Sequence, residues 1–236
     1  MVVGKMTVQF ERFEAQLATS ETTVQRVTPV PPVRTGIYRS FLKRALDVGV
    51  VIMMAPVVVP TVAALATLVA LDGGKPFYAQ QRVGHGGRQF KMWKLRSMVC
   101  NADARLAEVL ESDPAARAEW DRTQKLRNDP RITRFGRLLR KSSLDELPQL
   151  WNVLTGEMSL VGPRPMMPSQ TVLYPGTSYY ALRPGITGPW QISERNDTSF
   201  AARADYDAAY DASLGLVSDL KILTKTVKVV ARGTGC

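Results

Sequence analysis

Val48-Gly49-Val50-Val51-Ile52-Met53-Met54-Ala55-Pro56-Val57-Val58-Val59-Pro60-Thr61-Val62-Ala63-Ala64-Leu65-Ala66-Thr67-Leu68-Val69-Ala70-Leu71 runs for 24 residues without a charge. A helix of about 20 apolar residues crosses the ~30 Å hydrocarbon core of a bilayer. Helices in soluble cores are rarely apolar all round, so this run predicts a membrane-embedded helix. Lys43 and Arg44 lie just ahead of it, the pattern of basic residues on the cytoplasmic side. Pro56 and Pro60 each remove a backbone donor and push on the preceding turn. Two topologies fit: a kinked spanning helix, and a helix that breaks near Ala55-Pro56 and leaves on the side it entered.

Working outward, residues 1–36 read as a polar, flexible leader, since Pro29, Pro31, Pro32 and Gly36 interrupt any long helix. A short amphipathic helix over Phe10–Leu17 fits there. No apolar core of a signal peptide is present in it. Residues 37–72 read as the anchor and residues 73–236 as a separate folded domain that carries the motifs below. Beyond the anchor, Gly73-Gly74 and Gly84 to Gly87 bracket Phe77–Val83, and Gln89–Met98 alternates, which predicts a hairpin. Its second strand ends on Lys94 and Arg96, which in isolation read as solvated charges. Asn101–Lys125 reads as two surface helices around Pro114, and Asn128-Asp129-Pro130 as a turn. Arg131, Arg134, Arg137 and Arg140 then recur every three residues, a basic stripe on a helix facing phosphate or an anionic surface. Leu216–Val230 is a second amphipathic stretch. The fold class expected is α+β, mostly helical, with amphipathic interfacial helices.

A net charge of +10 suits an anionic partner without choosing among nucleic acid, phospholipid and phosphorylated metabolites. Cys100 and Cys236 give no disulfide framework, so a reducing compartment is the default. His85, the single histidine, sits in a glycine-rich loop. A zinc site or histidine-based triad would have to use it, which argues against both.

The chemistry concentrates in Ser143-Leu144-Asp145-Glu146-Leu147-Pro148-Gln149-Leu150-Trp151. Ser143-x-x-Glu146 fits a capping box, and Pro148 would shift the helix start so that Asp145 caps it. Pattern alone favours capping. The same geometry serves catalysis: an ionised carboxylate can attack phosphorus, and a second beside it can share Mg²⁺ with substrate phosphates. Arg140 and Arg164, the latter between Pro163 and Pro165, are suited to clamp phosphate oxygens. Leu147, Leu150, Trp151 and Leu154 supply the apolar face of the helix that follows.

Taken in order, these motifs resemble the bacterial sugar transferase family, the small monotopic phosphoglycosyl transferases. The resemblance runs from about Phe41 to the C-terminus. It rests on Lys43-Arg44-x-x-Asp47 before the apolar run, Lys94-Leu95-Arg96-Ser97-Met98 and Asp129-Pro130-Arg131-Ile132-Thr133-Arg134. Ser143–Gln149, Ser159-Leu160-Val161-Gly162-Pro163-Arg164-Pro165 and Arg183-Pro184-Gly185-Ile186-Thr187-Gly188 complete it. The resemblance implies that Asp145 takes a sugar-1-phosphate from a UDP-sugar, releasing UMP, and that a polyprenyl phosphate, commonly undecaprenyl phosphate, then accepts it. It implies Mg²⁺ held by Asp145 and Glu146, and phosphate contacts from Lys94, Arg96, Arg140 and Arg164. It implies a re-entrant anchor breaking at Ala55-Pro56, though Ala55 stands where many relatives carry Ser. The expected setting is the bacterial inner membrane, with the catalytic domain on the cytoplasmic face and no extra N-terminal membrane helices. The expected role is to start an exopolysaccharide or other surface glycan; relatives use galactose and glucose, and N-acetylated sugars stay open.

Two other readings compete. Asp205-x-Asp207 matches the metal motif of nucleotide-sugar glycosyltransferases, which release UDP rather than UMP. The arginine stripe would suit a membrane-tethered nucleic-acid-binding protein, but no reader motif accompanies it, so no nucleic-acid partner is expected.

Overall fold

The computed structural model describes residues 36–123, 126–193 and 200–231. The expected leader lies outside the described residues. The anchor and catalytic regions belong to one compact unit spanning Pro31–Cys236.

A short π-helical turn, Tyr38–Leu42, leads into α1, Lys43–Ala70. Together they are long and apolar enough to cross a membrane, and only 6% of the most apolar window is buried. Such a helix marks a membrane-associated chain. By its hydrogen bonding α1 continues through Ala55 and Pro56, with Pro56 and Pro60 inside it. A proline deletes one helical hydrogen bond and bends a helix without having to end it. The helix is also held along its length. Asp47, Val51, Ala66 and Val69 are buried, and Ala55, Val58, Val62 and Leu65 are half-buried between them. Spacings of three and four residues put these on one stripe. Ile52, Met53, Val57, Val59 and Leu68 face outward.

The predicted hairpin is present. Strand β1, Phe77–Val83, pairs antiparallel with β2, Gln89–Leu95, in the register Tyr78 opposite Lys94 and Arg82 opposite Phe90. Phe90 and Met92 pack with Val51 of α1 and with Leu150 and Val153. Helices α2, Ala102–Ser112, and α3, Pro114–Thr123, are the surface pair expected around Pro114.

Helix α4 covers Arg134–Ser142, three residues shorter at its start than the arginine repeat suggested. Thr133 caps it, its Oγ1 accepting the Gly136 N–H at 2.8 Å. Arg131 is therefore not in the stripe. It is buried, forks onto Asp129 at 2.6–3.1 Å and stacks 5.1 Å over Trp120. Helix α5, Gln149–Thr155, packs Leu150 and Val153 inward, whereas Trp151 is 61% exposed rather than on the apolar face.

Two further strands, β3, Ser159–Val161, and β4, Gly185–Thr187, pair in parallel. A Cβ on Gly162 would fall 2.3 Å from the Arg183 carbonyl oxygen, so only glycine admits this approach. Helices α6, Arg203–Ser213, and α7, Leu216–Ala231, complete the unit, with Tyr210 and Ile222 packed on Val161.

Candidate active site

Asp145 lies in a one-turn 3₁₀ helix, Leu144–Glu146, wedged between α4 and α5. Neither capping reading holds. Ser143 ends α4 in a left-handed conformation (φ 56°) and makes no side-chain cap, while α5 starts only at Gln149, after Pro148. The proline sets a helical φ at the entry to α5 and donates no N–H, which separates the acidic turn from that helix. Leu144 packs with Leu65, Ala66 and Val69 of α1 and with Leu95 and Leu139. The turn that holds Asp145 is thus docked through Leu144 on the apolar helix α1.

Asp145 is 6% exposed. Burial raises its pKa, Lys94 opposes that rise, Glu146 adds to it, and Arg140 opposes it again. Lys94 Nζ lies 2.7 Å from Glu146 Oε1. Strand β2 thus delivers one cation across the acid pair, and the last turn of α4 delivers a second, Arg140. Arg96 goes elsewhere: it donates to the Val69 carbonyl at 2.8 Å and to Cys100 Sγ at 3.0 Å, closing the C-terminal end of α1.

Arg164 reaches toward two arginines that sequence reasoning missed, Arg82 and Arg203. The pKa of each is lowered to about 10, first by burial and then by Arg164. Arg82 also feels Glu146. Arg203 lies 4.1 Å from the Trp190 ring and 4.2 Å from Phe200, and Arg164 lies 5.8 Å from Trp190. The Nε atoms of Arg82 and Arg203 are buried without a hydrogen-bond partner. Like charges desolvated together are costly unless an anion joins them. The hairpin that carries Arg82 was legible in the sequence; the approach of Arg203, far along the chain, was not.

Asp205 and Asp207 do not form a metal pair. Residues two apart on α6 face apart; Asp205 is exposed, and Asp207 is buried, accepting a hydrogen bond from Tyr174 Oη at 2.8 Å. Among the described residues no three of His, Cys, Asp and Glu are grouped to hold a metal. A cavity of about 160 Å³ at the start of α1, lined by Arg39, Lys43, Asp47 and His85 among others, lies away from Asp145. Its charges are mutually satisfied: Arg39 pairs with Asp211 and Lys43 with Asp219, and Ser159 donates to Asp47.

The profile of the family described as bacterial sugar transferase matches residues 38–233, which covers every element just described. The chain belongs to that family. It is 49% identical over 197 residues to the UDP-galactose-lipid carrier transferase of Erwinia amylovora, covering 83% of this chain and 41% of the relative. It is 44% identical to the exopolysaccharide production protein ExoY of Sinorhizobium fredii, covering 86% of this chain and 93% of the relative. The UDP-glucose:undecaprenyl-phosphate glucose-1-phosphate transferase of Escherichia coli K12 is 37% identical, with 82% and 40% covered. The chain spans about two-fifths of the first and third of these family members and nearly all of the second.

Proposed function

We propose that this chain is a membrane-bound phosphoglycosyl transferase that moves a hexose-1-phosphate from a UDP-sugar to a polyprenyl phosphate, starting a surface glycan. One observation carries the reading: a buried carboxylate, Asp145, beside Glu146, facing Lys94 and Arg140, on a turn packed against the membrane helix. The names of the relatives support the donor and acceptor classes.

In the first step an Asp145 oxygen attacks the sugar-bearing phosphorus. The bond from that phosphorus to the bridging oxygen breaks, and UMP leaves with the electron pair. In the second, an oxygen of the polyprenyl phosphate attacks the same phosphorus and the carboxylate departs. Lys94 and Arg140 oppose the rise that burial gives the Asp145 pKa and offset the charge of two approaching anions. Arg82, Arg164 and Arg203 suit the phosphate of the nucleotide, since the Nε donors of Arg82 and Arg203 are buried without a hydrogen-bond partner.

The acid pair fits Mg²⁺ in the mode that uses one or two carboxylates and completes its shell with substrate phosphates and water. Asp145 and Glu146 would hold it, and it would neutralise charge on the donor diphosphate.

The anchor supports a chain that enters and leaves on one side. Near its start, Arg44 donates to the α5 carbonyls of Val153 and Leu154, and near its end Leu65 and Val69 pack on Leu95. Both ends of α1 dock on the same globular body, so we assign a monotopic anchor in the bacterial inner membrane, with the catalytic body on the cytoplasmic face.

The test is nucleotide release. Purified protein with a UDP-sugar and a polyprenyl phosphate is expected to release UMP, and Asp145→Asn to lose at least about 1000-fold of that rate. Release of UDP, or a folded Asp145→Asn of normal rate, overturns the proposal.

A further inference from the structure

We infer that Asn152, outside the acid pair and its basic flank, is a positioning residue that fixes Lys94 against Asp145 and Glu146; this rests on the transferase reading. Asn152 lies on α5, seven residues after Asp145, and is fully buried. Its Oδ1 accepts the Trp93 N–H at 3.1 Å, and its Nδ2 donates to the Lys91 carbonyl at 2.8 Å. Nδ2 also donates to Glu157 Oε2 at 2.6 Å.

Strand β2 pairs with β1 along one edge only. Trp93 N–H and Lys91 C=O both point off its other edge, two residues apart, which is the spacing a neighbouring strand would meet. A primary amide carries one acceptor and two donors, so a single asparagine reproduces that stretch of ladder. The next residue after Trp93 is Lys94, whose Nζ meets Glu146. The acid turn leads through Leu147 and Pro148 into α5. The amide therefore joins the two segments that carry opposite charges of the site, within a few residues of each. A slip of β2 against α5 would withdraw Lys94 from the acids.

Lys94 is bonded to the acid pair through Glu146, so loosening β2 should slow the chemical step while leaving donor binding in place. An Asn152→Asp substitution keeps the shape and the acceptor for Trp93 but turns a bare oxygen on Lys91 C=O and Glu157.

The experiment measures UMP release over a range of UDP-sugar concentrations for the whole chain in detergent, with Trp93 amide exchange in parallel. Asn152→Asp is expected to lower kcat by about 10- to 100-fold, with KM for the UDP-sugar within about twofold. Glu157→Gln added to it should recover part of kcat, because an amide again faces a carboxylate. In a Lys94→Met background, Asn152→Asp should cost less than about twofold further. Full additivity in folded protein overturns the inference. Should the variant not fold, the native chain still decides: the Trp93 amide must exchange as slowly as the β1–β2 ladder, and fast exchange overturns it. An active Asp145→Asn sinks the transferase reading alone, since the exchange result does not depend on it.

Discussion

At the scale of single residues, burial raises the pKa of both Asp145 and Asp207, and different partners answer each. Asp145 is desolvated and answered by Lys94 and Arg140. Asp207 is desolvated and answered by the Tyr174 hydroxyl and Arg203, and its pKa still rises to about 6. Unfolded, an aspartate titrates near 3.9. Between about pH 4 and pH 6 the folded chain therefore holds a proton that the unfolded chain has lost. Stability should fall as pH rises through that window, by about 3 kcal/mol at most. Asp207→Asn, which can still accept from Tyr174, should remove that fall. Urea unfolding of both proteins at several pH values checks it. Nothing in the residue spacing announced this, since Asp205 and Asp207 look alike in sequence and only the fold buries one of them.

At the scale of elements, α4 shows how close approach chooses a residue. A Cβ on Gly136 would sit 2.0 Å from the Ser97 carbonyl oxygen. Helix propensity alone favours alanine by about 1 kcal/mol. The clash with backbone should reverse that sign, and Gly136→Ala is expected to destabilise by about 1–3 kcal/mol. Chemical denaturation with a linear fit would detect it. The hairpin, the surface pair α2 and α3, and the amphipathic α7 were legible because each is set by a local period. The start of α4 was misread because the arginine repeat continues into Arg131, while Thr133 offers the better cap and Asp129 draws Arg131 away.

At the scale of the whole molecule, a polar clamp binds the start of the membrane helix to the C-terminal helices. Asp219 accepts from Lys43 at 2.7 Å, Tyr38 at 2.6 Å and Tyr210 at 2.6 Å. Ser159 donates to Asp47 at 2.7 Å, tying the helix to β3 and so to the loop that carries Arg164. Removing one partner of a buried ion pair strands the other. Asp219→Ala should cost about 3–5 kcal/mol and loosen the docking of α1. Thermal unfolding in micelles, with protease cleavage ahead of Lys43 as the local readout, would register both.

The amino-acid order alone determined the apolar helix, the hairpin with Lys94 on it, the acidic turn and the family motifs. These depend on charge, period and neighbours along the chain. Only the tertiary structure decided that α1 runs helical past Pro56, that Arg96 closes its end, and that Arg82 and Arg203 gather beside Arg164. Those outcomes depend on which side chains reach one another across large separations in sequence, and packing and desolvation act on distance in space.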